Sequence, residues 1–81
     1  MRRIPNTRWS IDKAKGRAAN IVRDRASREV IGGLLIYRSM RSDGRVAYMA
    51  TRAGDGSTHD FNLRFDACAW LMDGFDALRE A

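Results

Sequence analysis

The chain has 81 residues, 15 Lys and Arg against 10 Asp and Glu, and a formal net charge of +5. That length holds one domain with one modest core, and an apolar fraction of 44% with a single proline does not read as disorder. One cysteine excludes an internal disulfide, and no run approaches the roughly 18 apolar residues of a membrane-crossing helix. The expected setting is a reducing cytoplasm, with no membrane partner.

Residues 1–8 read as a flexible basic arm. Met1-Arg2-Arg3-Ile4-Pro5 starts like a secretory signal, but the apolar stretch such a signal needs does not follow. Residues 9–81 then read as one small domain. Ser10 is a candidate helix cap, and Ile11, Ala14, Ala18, Ile21, Val22 and Ala26 recur at helical spacing, which predicts a first helix over about 10–27. Gly16 inside it costs about 1 kcal/mol relative to alanine, so this helix would depend on tertiary packing.

After Gly32-Gly33 the period changes to alternation. Residues 34–41 and 45–52 flank Ser42-Asp43-Gly44, which predicts an antiparallel hairpin. A turn at Ala53-Gly54-Asp55-Gly56 leads to a third strand over 57–65, where His59, Phe61, Leu63 and Phe65 share one face. Asp66 is the predicted cap of a closing helix with Ala67, Leu71, Phe75 and Leu78 as its apolar stripe and Trp70 beside them. The expected class is α+β: helix, three-stranded antiparallel meander, helix, with both helices packed on one sheet face.

The hairpin register decides which sheet face is free. With Asp43-Gly44 at its tip, Tyr37 faces Ala50, and a four-residue second loop sets Tyr48 opposite Phe61 and turns both tyrosines toward the core. A slip of one residue reverses every side chain. An exposed Tyr37, Tyr48, Arg41, Arg52 and Arg64 would suit nucleic acid; an exposed Arg38, Met40, Met49 and Thr51 would suit a protein surface.

No set of residues signals catalysis, a metal or a cofactor. His59 and Cys68 are the only soft ligands, two short of a zinc site, and Cys68 reads as a small packed side chain rather than a nucleophile. Asp66 reads as a cap, Asp73 and Asp76 as a solvated helix face, and Gly54 and Gly56 as turn glycines without phosphate-loop spacing.

Charge is sorted along the chain. Residues 1–28 hold nine Lys and Arg against Asp12 and Asp24, whereas residues 59–81 hold two against five acids. The candidate phosphate contacts are therefore Arg2, Arg3, Arg8, Lys13, Lys15, Arg17, Arg23, Arg25 and Arg28, on the arm and the predicted first helix. Two alternatives stand beside this: the basic and acidic ends pair with each other, within one chain or in a homodimer, or Trp9, Tyr37, Arg38, Met40 and Met49 contact a protein partner.

Residues 34–79 resemble the AP2-like three-strand-plus-helix DNA-binding domains of phage and transposon integrases, through a meander bearing Arg38, Arg41, Arg45 and Arg52 and a closing helix with Phe65-Asp66, Ala69 and Phe75. That resemblance implies DNA contact through the sheet. In size and character the chain is also similar to small phage-encoded anti-CRISPR inhibitors, which implies surface occupation of a nucleoprotein. The function expected is thus a non-catalytic binding module, from a phage or mobile element, for nucleic acid or a nucleoprotein, with a protein-binding inhibitor or assembly factor as the alternative.

Overall fold

A computed structural model describes residues 5–13, 19–38 and 44–80. After a 3-10 turn at Asn6–Arg8 the chain forms strands β1 (Trp9–Lys13), β2 (Ala19–Asp24), β3 (Val30–Arg38), β4 (Val46–Arg52) and β5 (Thr58–Phe61), then helix α1 (Arg64–Glu80). The strands make one antiparallel sheet in the order β1-β2-β3-β4-β5, a meander in which every neighbour is consecutive.

This corrects the expected class. The first element is not a helix over 10–27 but the hairpin β1–β2, paired with Trp9 opposite Asp24 and Ile11 opposite Val22, so the described residues form a five-stranded sheet and a single α-helix. Trp9, Ile11, Ile21 and Val22 are β-branched or aromatic and favour a pleated surface. Gly16 falls in the segment between these strands, outside the described residues.

The helix covers one face of the sheet. That face gathers Trp9, Val22, Leu34 and Ala50 against Ala67, Cys68, Leu71 and Met72, with Ile11, Tyr48, Phe61, Trp70 and Phe75 packed around them. Ile31 joins this core because the β2–β3 register shifts between Val22 and Arg23: Val22 faces Gly32 and Arg23 faces Val30, leaving Ile31 as the extra residue of a bulge. The stripe on α1 begins as predicted with Ala67 and Leu71 but continues through Met72 and Gly74, while Leu78 is 60% exposed. Asp66 lies within the first turn of α1, which starts two residues before it.

The register separates the two tyrosines. Tyr48 faces Phe61 as expected and lies on the helix side, but Tyr37 faces Ala47 rather than Ala50. A shift of three is odd, so Tyr37 sits on the opposite face, with Ile21, Leu35, Met49 and Thr51. No described element covers that face.

Candidate nucleic-acid interface

The structure disperses the cations that the linear charge pattern nominates. Arg2, Arg3, Lys15 and Arg17 lie outside the described residues. Arg8 donates through Nη2 to Asp76 Oδ1 at 2.8 Å, joining the start of the sheet to the acidic side of α1. Arg23 pairs through Nε with Asp12 Oδ2 at 2.7 Å and reaches the Arg28 carbonyl. Arg25 clasps the Trp9 carbonyl with Nε and Nη2, at 3.3 and 3.0 Å, and Arg28 reaches Ser10 Oγ at 3.4 Å. These residues do not line one helix face. They fasten the β2–β3 turn to β1.

That turn is built on Asp24, which is only 4% exposed. Its Oδ2 accepts from the Ser27 backbone N–H at 2.9 Å and from Ser27 Oγ at 2.8 Å. Its carbonyl accepts from the Arg28 N–H, and Arg28 takes a left-handed φ of 67° to close the turn. The two Ser27 bonds, with Arg8 and Arg79 nearby, hold the Asp24 carboxyl below its ordinary value of 3.8 against the opposing effect of burial.

A different set of cations stands at the other end of the sheet. Antiparallel pairing brings the end of β3, the start of β4 and the start of α1 to one side, where Arg38, Arg45 and Arg64 are all exposed, whereas exposed Lys13, in register through Asn20 with Leu34, stands further back on the β1 edge. None forms an ion pair with another described residue. Arg38 donates to the Gly44 carbonyl at 3.1 Å, and the Arg64 guanidinium lies 5.8 Å from the Tyr48 ring. Two carboxylates lie near this end among the described residues, Asp66 in the first turn of α1 and Asp60 on β5 opposite Met49. At the opposite end, Arg8, Arg25, Arg28, Arg52 and Arg79 are matched by Asp24, Glu29, Asp55, Asp73, Asp76 and Glu80. Folding therefore converts a gradient along the chain into a difference between the two ends of the sheet.

No protein-family model, curated protein or solved structure matches this chain. Its own geometry carries the functional argument.

The remaining candidates separate cleanly. Of the protein-contact set, Trp9 is 5% exposed and belongs to the core, stacked edge-on against Phe65 at 5.4 Å. Tyr37 and Met49 share the sheet face opposite α1 with half-exposed Ile21 and Leu35, Arg38 lies at the cationic end, and Met40 is outside the described residues. Cys68 is wholly buried, and desolvation pushes its thiol up to about 11 despite Arg64 nearby. No group of three or more His, Cys, Asp or Glu among the described residues is placed to hold a metal ion, and no described helix is long and apolar enough to cross a membrane.

One arrangement left no mark in the sequence. Arg52 lies across α1 with its guanidinium 3.9 Å over the Trp70 ring and Nη2 donating to the Trp70 carbonyl at 3.0 Å, while Asp73 stands 4.0 Å away. Its Nε is buried without a partner. Gly74 makes this possible, because a Cβ there would meet the guanidinium.

Proposed function

We infer that the protein is a small non-catalytic module that docks on nucleic acid, or on the nucleic-acid part of a nucleoprotein, through the cationic end of its sheet. One observation carries this reading: Arg38, Arg45 and Arg64 are exposed at one end of the sheet without ion-pair partners among the described residues, while Asp24, Glu29, Asp55, Asp73, Asp76 and Glu80 lie toward the other end. Unneutralised cations on one rigid edge bind phosphates by releasing condensed counterions, which makes affinity depend steeply on salt. The expected first helix is replaced by β1 and β2, so Arg23, Arg25 and Arg28 are not presented on a helix face, and Arg2, Arg3, Lys15 and Arg17 lie outside the described residues.

The test is binding of a mixed-sequence oligonucleotide across a salt series. Each phosphate contact contributes about 0.9 to the slope of log affinity against log salt on duplex DNA. A combined Arg38→Glu, Arg45→Glu, Arg64→Glu variant is expected to lose binding and flatten that slope, whereas Arg25→Glu with Arg28→Glu has the smaller effect. Absence of binding at low salt, or unchanged binding by the triple variant, refutes the reading.

A second reading has its own support. The face that no described element covers, with Ile21, Leu35 and Met49 and the mutually neutralised Asp12–Arg23 pair, suits a protein surface better than a polyanion. Under it, Leu35→Asp abolishes a stoichiometric protein complex and leaves oligonucleotide affinity unchanged; sedimentation separates such a complex from self-association.

A further inference from the structure

Beside the cationic end, on the helix side of the sheet, three rings meet along the β5 edge. His59 and Phe61 lie 4.7 Å apart between centroids, His59 and Trp70 5.8 Å, and Phe61 and Trp70 5.7 Å, with interplanar angles of 53°, 37° and 52°. Phe61 and Trp70 are half-buried and held by the core, while His59 is exposed. β5 is the last strand of the sheet, so no further strand flanks this cluster. A guanidinium stands at each side of it: Arg52 over Trp70, and Arg64 near Tyr48, whose register partner is Phe61.

Fixed rings bordered by arginines have the chemistry of a base-stacking platform. Every nucleobase has a π-face, so stacking is tolerant of sequence, but the base must be free of its own helix. A duplex keeps its bases stacked inside and offers this edge only phosphates. A single strand offers phosphates to Arg45 and Arg64 and, one step further along β5, an unpaired base to the exposed His59 ring backed by Phe61 and Trp70.

We propose that the β5-edge cluster of His59, Phe61 and Trp70 takes an unpaired base, so that single-stranded polynucleotide is the preferred ligand. This rests on the phosphate-binding reading of the adjacent cationic end and adds strand state to it. The rings supply discrimination and the arginines supply attraction. Asp73, beside Trp70, is balanced by Arg52 at 4.0 Å.

The experiment uses the full chain and three labelled probes of equal length, roughly 12 nucleotides: a mixed-sequence single strand, the corresponding duplex, and a single strand of abasic sites with the same phosphate charge. Fluorescence anisotropy is expected to show the single strand bound about tenfold or more tighter than the abasic strand, a ratio set by stacking of one or two bases. His59→Ala is expected to remove most of that preference without altering abasic binding, and His59→Phe to restore it. Stacking also quenches Trp70 emission, and this quenching is lost in the His59→Ala variant. His59 is exposed, so circular dichroism of the variant serves as the check that the sheet is intact. Equal affinity for base-bearing and abasic strands, unchanged by His59→Ala, overturns the proposal while leaving the cationic-end reading in place. No binding of any probe overturns both. A protein complex that His59→Ala abolishes, with no base-dependent binding, reassigns the cluster to a protein contact and also overturns the proposal.

Discussion

Two adjacent glycines in β3 are expected to respond to the same substitution with opposite signs. Gly32 is buried beneath the helix, where a Cβ would collide with the Thr51 carbonyl oxygen of the neighbouring strand and stand 2.6 Å from Leu71 Cδ2. Leu71 is itself fully buried, and the carbonyl belongs to the ladder, so neither has room to yield. Overpacking of this kind costs about 1–3 kcal/mol. For a domain of this size each kcal/mol lowers Tm by about 4–8 °C, so Gly32→Ala is expected to lose roughly 5–20 °C. Gly33 points to the uncovered face, and its Cβ would meet only the Asn20 carbonyl oxygen at 3.6 Å, an ordinary contact. Gly33→Ala is therefore expected to gain about 0.4–1 kcal/mol by restricting the unfolded chain. Thermal and urea unfolding of the two variants provide the comparison. A stabilised Gly32→Ala, or shifts of the same sign and size in both, refutes the placement of α1 on the Gly32 face.

The Asp24 turn makes an acid-side prediction. A carboxyl held below its unfolded value contributes stability that is present above about pH 4 and lost as pH falls through the folded value. The urea midpoint of Asp24→Asn is thus expected to fall less between pH 7 and pH 3 than that of the parent; an equal fall refutes the assignment. Asp24→Ala leaves the Ser27 N–H without its acceptor and is expected to cost about 1–3 kcal/mol at pH 7. Cys68, buried and with its thiol at about 11, is expected to react with thiol reagents at pH 8 only on unfolding. Labelling of the native protein at the rate of a free thiol would show that the closing helix opens. Arg8 and Asp76 are both partly exposed, so their double-mutant cycle is expected to give a coupling below about 1 kcal/mol that shrinks with salt.

The later strands and the closing helix are legible because their residues obey local rules. Leu34 to Arg38 and Val46 to Arg52 alternate, Gly44 and Gly56 supply the left-handed φ of 76° and 75° beside the turns, and Ala67 and Leu71 keep helical spacing. The first hairpin is not legible because its inward positions include Lys13, Asn20 and Asp24 while Ile21 points outward, which erases the alternation. What remains of its apolar residues happens to match a period near 3.6. Asp24 can lie inward because its carboxylate is satisfied by Ser27 in the adjoining turn, a local contact that hydrophobic periodicity does not register. The register of the β3–β4 hairpin is lost for a related reason: Asp43-Gly44 suggests a tight tip, yet Arg38 and Val46 are the last paired residues and the longer connection flips Tyr37. The cationic end is collected from the β3–β4 hairpin and the start of α1, so only the topology reveals it. The rings of the β5 edge follow the same logic, since His59 and Phe61 alternate visibly but Trp70 reaches them from the helix.

The ion pair between Arg8 and Asp76 has a practical meaning for how this molecule can be held. An odd number of strands followed by one returning helix places Pro5 and Glu80 on the same side, and Arg38, Arg45 and Arg64 on the other. Residues 5 and 80 thus both lie at the balanced end, and a ligand seated on the cationic end would approach from the side away from both.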